Sequence, residues 1–402
     1  MPAIRRRTTA PVPTPAAEPA AEEKRGRGRP RKVKTVRDIP VSSELEEVLA
    51  KIRKAHGDNT VVTGTTIKQP WRIPTGIFTF DLATLGGIPH NRVTMFHGPK
   101  HSGKTTGAMR CVAGAQASMP DQMPVWIDVE GTFDATWAQK LGVDTEHLQV
   151  VQPDTGEQAV DMTVALIHAR ETSLVVVDSL AALLPFKEQE ASAEDSLVGQ
   201  QSRLITSMLR KVSAAQIKER KRGHYVSILL INQQRSKIGG FTPPGQEPMS
   251  LPGGKALGFF TSLEARWKNK ENLKASGGYE ELSHNDHAFS IEKNKMCAGM
   301  RKGEFRMLRR EDEALGLAEG EIDEAETMLA FAKRWDYMTG GGRGGQSLTF
   351  GEYDLHFANT AEAVSALYED REMKHALRCH LIAHYAEQLG MEADFVSYLR
   401  GD

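Results

Sequence analysis

The sequence predicts an α/β fold in which a mostly parallel central sheet is covered by helices on both faces. Three observations carry this. Apolar, strand-like runs alternate with helical stretches beyond about residue 92, a pattern that calls for crossover helices and buries the sheet on both sides. The first of these runs, Arg92 to His97, enters Gly98-Pro99-Lys100-His101-Ser102-Gly103-Lys104-Thr105-Thr106, which fits the phosphate-loop spacing G-x-x-x-x-G-K-[ST]; helix-compatible residues, Thr105 to Ala113, leave it. The other runs end in short polar residues, at the strand ends where open α/β sheets bind ligands.

At 402 residues the chain has room for two or three domains, and 40% hydrophobic content supplies their cores. No run approaches the roughly 20 apolar residues of a membrane span, and the N-terminus has no apolar signal segment. Three scattered cysteines (Cys111, Cys297, Cys379) without metal-ligand spacing point to ordinary thiols in a reducing compartment.

The net charge of −1 conceals an asymmetry. Residues 1–38 hold eleven Lys/Arg against four Asp/Glu, a surplus of seven positive charges, which leaves −8 for the other 364 residues. This Pro/Ala-rich tail has too few large apolar residues to fold. Its segment Arg27-Gly28-Arg29-Pro30, flanked by further Lys and Arg, resembles an AT-hook lying in a narrow A·T minor groove; the bland alternative is a solvated polyanion-binding tail. From residue 41, Ser42 or Ser43 can cap a helix bearing Leu45, Val48, Leu49 and Ile52, with Gly57 as its stop. The β-branched run Thr60–Thr63 then predicts a strand. One helix and one strand cannot form a domain alone, so this piece must dock on something.

The chemistry of the phosphate loop follows from its residues. Gly98 and Gly103 let the backbone wrap a phosphate at a helix N-terminus. Lys104 reaches the β- and γ-phosphates, and the Thr105 hydroxyl ligates Mg²⁺. Further strands are predicted at Val125–Asp128, Leu148–Val151, Leu174–Asp178 and Val226–Asn232. Asp178, closing its strand ahead of Ser179, has the Walker B arrangement that holds the metal shell; the alternative is a helix N-cap. Glu130, in Asp128-Val129-Glu130, is the candidate to orient and deprotonate an attacking water, against a solvated loop carboxylate. Trp137 could stack on adenine, although alone it would be a core aromatic. Asn232-Gln233 places amides near the γ-phosphate.

In this order the residues resemble the RecA recombinases, the bacterial proteins and their phage relatives of the UvsX type. The likeness runs from about residue 41 to 310 and more loosely to about 390. It takes in Pro74-Thr75-Gly76, the phosphate loop, Asp128-x-Glu130, Lys140-Leu141-Gly142-Val143-Asp144, Val177-Asp178-Ser179, Ile231-Asn232-Gln233, Lys237-Ile238-Gly239 and Lys293-Asn294-Lys295. Most specific are the octad Gln152-Pro153-Asp154-Thr155-Gly156-Glu157-Gln158-Ala159 and Gly253-Gly254-Lys255-Ala256-Leu257.

The resemblance implies a RecA-like P-loop NTPase core at 71–310, an N-terminal helix and strand for subunit docking at 41–70, and a small α-rich C-terminal domain at 311–402; the disordered basic tail at 1–40, read from composition, has no counterpart in the usual bacterial protein. It implies ATP and Mg²⁺ as cofactors, Glu130 as the catalytic glutamate, Trp137 and Asp134 at the adenine, and Gln233 as the γ-phosphate sensor. Lys293 and Lys295 would reach the ATP of a neighbouring subunit, like an arginine finger supplied in trans. Two loops, about 188–199 and 234–253, would bind DNA, with Arg203, Arg210, Arg235, Lys237, Gly239, Gly240, Gly253 and Gly254 as contacts besides Arg27 and Arg29 of the tail. A structureless stretch as long as 234–253 already suggests function or disorder. The first loop departs from the family, being acidic (Glu188, Glu190, Glu194, Asp195) and without the family's glycines. The helix carrying Lys374, His375, Arg378, His380 and His384 reads equally as a duplex contact or a solvated face.

The expected function is therefore an ATP-dependent recombinase that forms a helical filament of itself on single-stranded DNA and pairs it with homologous duplex. Single-strand-binding and mediator proteins would be further partners. The expected location is the cytoplasm, at the nucleoid, or a host's cytoplasm for a phage-encoded chain. The alternatives are a RecA-fold hexameric helicase or loading ATPase, and a low-turnover DNA-coating scaffold.

Overall fold

The computed structural model describes residues 42–64, 69–190, 199–236, 249–254, 256–270 and 284–401. The tail with Arg27 and Arg29, the acidic stretch 191–198, and Lys237, Gly239 and Gly240 lie outside the described residues. The chain divides into two compact units between Lys68 and Gln69.

In the N-terminal unit, helix α1 spans Ser43–His56. Ser42 Oγ accepts from Leu45 N at 3.3 Å, acids occupy the first turn and Arg53, Lys54 and His56 the last, so both ends suit the helix dipole. None of its residues is buried, and Leu45 and Val48 are exposed. The strand expected over Thr60–Thr63 is not formed. Asp58–Thr60 make a 3₁₀ turn, and Val61 is extended (φ −119°, ψ 111°) without a ladder partner. β-branched residues favour extension, but a strand exists only beside another strand.

The second unit is built on a nine-stranded sheet. Its members are β3 (Val93–Gly98), β4 (Met123–Asp128), β5 (Gln149–Val151), β6 (Thr172–Asp178), β7 (Ser227–Gln233), β10 (Leu263–Lys270), β11 (His284–Asn294), β12 (Lys302–Leu308) and β13 (Ile322–Asp323), in the spatial order β13-β12-β11-β10-β3-β7-β6-β4-β5. Strands β10, β3, β7, β6, β4 and β5 run parallel; β11 to β13 extend the sheet antiparallel. Every residue of β3 and β6 is buried, which is why both read as continuous apolar runs. Short pairs β1 (Arg72–Ile73) with β2 (Ile88–Pro89), and β8 (Arg235–Ser236) with β9 (Met249–Ser250), lie outside this sheet.

Helices α3 (Lys104–Ser118), α4 (Ala135–Lys140), α5 (Gly156–His168), α6 (Phe186–Glu190), α7 (Gln200–Lys221) and α8 (Ala256–Phe260) connect the strands. Helix α3 lies close over the sheet because Gly107 has no side chain: a Cβ there would stand 2.5 Å from the fully buried ring of Trp267. Among the described residues no helix is long and apolar enough to cross a membrane.

The C-terminal part is less purely helical than its sequence suggests. After α9 (Ala325–Arg334) come three antiparallel strands, β14 (Met338–Gly340), β15 (Gln346–Phe350) and β16 (Tyr353–Phe357), and then α10 (Thr360–Glu369), α11 (Arg371–Gln388) and α12 (Ala393–Arg400). Leu348, Phe350, Leu355 and Phe357 alternate with exposed Thr349, Asp354 and His356, so one face of this small sheet is buried. It shares a core with Phe78, Leu82 and Leu85 from α2 (Phe78–Thr84) and the turn after it. Two of the α11 cations expected at a duplex or on a solvated face, Arg378 and Lys374, are engaged within the fold. Arg378 is ion-paired to the fully buried Asp81 and to Glu324 (3.3 Å), and Lys374 Nζ stands 3.7 Å from Glu324. A buried carboxylate needs a cation beside it, and Arg378 is that cation.

Candidate nucleotide-binding and catalytic site

The order β3-β7-β6-β4 brings four parallel strand ends side by side. Register sets Gly98 opposite Gln233 and Asp128 opposite Asp178. The phosphate loop follows β3 and turns into α3 at Gly103, whose φ of +89° favours glycine and beside which a Cβ would meet the His287 ring at 2.8 Å. Lys104 Nζ donates to Pro99 O (2.6 Å) and Ser102 Oγ (3.3 Å), both neutral, and burial lowers its pKa to about 8. Thr105 Oγ1 donates to Asp178 Oδ2 at 3.1 Å. Burial, then the neighbouring Glu130 charge, push the Asp178 carboxyl up to about 7.

Glu130 is held from two sides. Ser179 Oγ and Gln233 Nε2 both donate to its Oε1, the latter at 2.7 Å. Asp128 stays behind it as a brace, accepting from Thr132 N and Phe133 N (3.1 Å each) and Gln152 Nε2 (3.2 Å). These groups open on a cleft of about 1260 Å³ lined by Lys100, His101, Ser102, Gly103, Lys104, Thr105 and Thr106, by Glu130, Trp137, Asp178 and Gln233, and on the far side by Asn269, Asn285, His287 and Arg309. Trp137 packs on the core and points Nε1 toward Thr106 Oγ1 at 3.4 Å.

Other expected residues stand elsewhere. Asp134 is exposed and caps α4, accepting from Trp137 N at 3.0 Å; it is not in the cleft wall. Asn232 is fully buried and donates to Pro252 O at 3.0 Å, so it ties down the end of the 234–253 segment and does not face the cleft. Lys293 and Lys295 lie outside their own protomer's cleft: Lys293 donates to Gly258 O and Thr261 O (2.7 Å), and Lys295 to Phe259 O (3.1 Å). Phe259 beside them is 77% exposed. Arg203 and Arg210 are on the exposed face of α7, Arg235 begins the β8–β9 ribbon at the base of the second loop, and Gly253 packs on Ile205 ahead of Gly254.

The residues fit a nucleotide and its metal. Among the described residues the buried Lys104 ammonium hydrogen-bonds only neutral oxygens, with Asp178 and Glu130 acting on it as nearby charges, and it stands at the N-terminus of a 15-residue helix, a place that suits a phosphate. The Thr105 hydroxyl and Asp178 carboxylate supply adjacent hard oxygen donors of the kind Mg²⁺ takes.

The RecA N-terminal domain family model matches residues 43–312. The chain belongs to the RecA family. It is similar to Protein RecA of Acidothermus cellulolyticus, 38% identical over 267 residues that cover 66% of this chain and 74% of the relative. The same protein name is carried by relatives from Mycobacterium sp. strain KMS and Mycobacterium avium strain 104, each 39% identical over 267 residues, with 66% of this chain and 73% of the relative covered. It is thus a RecA-type recombinase with a RecA-like α/β core.

Sequence reasoning missed the far wall of the cleft. Asn269 on β10, Asn285 and His287 on β11, and Arg309 just after β12 lie over 160 residues beyond the phosphate loop, and nothing local marks them. The role of Ser179 was nearer to hand, since it follows the Walker B aspartate directly.

Proposed function

We propose that the protein hydrolyses ATP in response to single-stranded DNA, polymerises along that strand, and exchanges it with a homologous duplex. The observation that carries this reading is the placing of Gln233. It donates to Glu130 in the cleft, and its chain continues within two residues into the β8–β9 ribbon that closes the 234–253 loop. One amide thus stands between the candidate general base and the loop proposed to grip DNA.

In this mechanism ATP occupies the phosphate loop, its triphosphate beside Lys104 and its adenine beside Trp137. Bound Mg²⁺, held by Thr105 and Asp178, would neutralise phosphate charge. Glu130 orients the attacking water and takes its proton, while Ser179 holds the carboxylate in place. Gln233 leaves Glu130 for the γ-phosphate when the site fills, and the ribbon moves with it; loss of that phosphate reverses the shift and loosens the DNA. Lys293 and Lys295, beside the exposed Phe259, reach the nucleotide of the next subunit, where two ammoniums stabilise the developing charge. The N-terminal unit docks on a neighbour, its segment around the extended Val61 adding to an open strand edge such as β5. The tail contributes salt-sensitive duplex affinity.

Electron microscopy of the protein with single-stranded DNA and a non-hydrolysable ATP analogue tests the reading. Helical filaments are expected; closed six-membered rings would instead support a helicase.

A further inference from the structure

We infer that the far end of α7, formed by Lys218, Arg220, Lys221 and Arg222 with Arg92 beside it, is an additional contact for the phosphate backbone of a duplex. It deepens the recombinase reading and rests on it. Helix α7 has 22 residues, roughly 33 Å of length and close to one turn of duplex DNA. It starts just after the 188–199 segment and ends shortly before the start of β7, an interior strand of the sheet.

The ordinary explanation for cations in a last helical turn is the helix dipole, but its C-terminus carries only about half a negative charge. Lys218, Arg220 and Lys221 bring three positive charges, all exposed, with no acidic partner at salt-bridge distance among the described residues. The one carboxylate in this turn, Glu219, is buried and committed to Arg222 (3.0 Å) and His168 (2.7 Å). Arg92 donates to Asn91 O (2.9 Å), and burial, with Arg220 nearby, lowers its pKa. Beside it, Nε2 of buried His90 and His224 has no hydrogen-bond partner among the described residues, and Tyr225 is 41% exposed. Clustered exposed cations beside an open aromatic suit a phosphate backbone better than solvent alone; the two buried histidine nitrogens lie beneath that surface and do not reach it.

The test compares full-length wild type with Lys218→Gln/Arg220→Gln/Lys221→Gln, titrating a short fluorescent duplex over a salt series. The logarithmic salt slope should become shallower by roughly two to three, since each lost phosphate contact contributes about 0.9. Duplex affinity at low salt should fall tenfold or more. The charge-keeping variant Lys218→Arg/Lys221→Arg should retain the wild-type slope, and the single variant Lys221→Gln should lose about one unit of it. Wild-type slope and affinity in the triple variant would overturn the inference, as would a change in self-assembly with duplex affinity intact, which would assign the patch to a second copy. Phosphate release stimulated by single-stranded DNA, followed in parallel, judges the underlying reading separately: its absence in wild type would sink that reading, whereas wild-type stimulation with unchanged duplex binding in the variant would sink only this surface.

Discussion

Glu130 has a hydroxyl on one side and an amide on the other, the holding that a general base needs to meet water in one orientation. Changing Glu130 to Gln keeps the shape and removes the basicity. Phosphate release should then drop by about 10²–10⁴-fold while nucleotide binding stays within a few-fold; equal turnover in both proteins would return Glu130 to the status of a loop carboxylate. Asp178 gives a pH-dependent prediction. Its folded pKa of about 7 lies above the ordinary 3.8, so the folded protein holds a proton that the unfolded chain has already lost. This residue therefore costs stability progressively as pH rises from about 4 to 7, and the cost is complete above 7. Asp178→Asn should leave the nucleotide-free protein no more stable at pH 4 but more stable by up to roughly 4 kcal/mol at pH 7.5, read from denaturant midpoints at the two pH values. A difference that did not grow with pH would contradict the buried carboxyl. Since Mg²⁺ needs the carboxylate, Mg-nucleotide affinity should also weaken below pH 7, approaching tenfold per pH unit.

At the scale of elements, β3, β4, β6 and β7 are legible because they are buried almost throughout and read as apolar runs, the last three ending in Asp or Asn-Gln; β10 is not, because its buried residues alternate with Glu264, Arg266 and Lys268. The phosphate loop was legible because its spacing is dictated by backbone geometry. The strand at 60–63 was not, because strand propensity says nothing about whether a partner is present. The small C-terminal sheet is harder to read: Leu348, Phe350, Leu355 and Phe357 carry its alternation, but its strands are only three to five residues long and follow a glycine-rich stretch, Gly340 to Gly345. Asp134 and Asn232 illustrate a different limit: a polar residue beside a site can cap a helix or tie a loop, and sequence does not distinguish these uses. The same is true of Arg378, whose partner Asp81 lies 297 residues away. Arg378→Met should cost about 3–5 kcal/mol by leaving the buried Asp81 without its cation, measured by chemical denaturation. A loss under 1 kcal/mol would mean that this pair does not hold the C-terminal layer to α2.

At the scale of the whole molecule, the features that remain unexplained within one protomer are those a neighbour would use. Phe259 is exposed, Lys293 and Lys295 sit beside it on main-chain carbonyls, Lys293 also 3.7 Å from Glu264, and α1 buries none of its residues. Phe259→Ala should leave thermal unfolding of the unassembled protein unchanged, because little is buried there, and should weaken assembly in light scattering or sedimentation. A destabilised protomer with normal assembly would place Phe259 inside the fold instead.

The most direct test of a nucleotide shared between subunits is complementation. Glu130→Gln and Lys293→Ala/Lys295→Ala should each lack turnover stimulated by single-stranded DNA. Mixed in equal amounts, they should recover about a quarter of wild-type activity, because one interface in four would join an intact Glu130 to intact lysines from the next subunit. A mixture as inactive as its components would show that the lysines do not act across the interface.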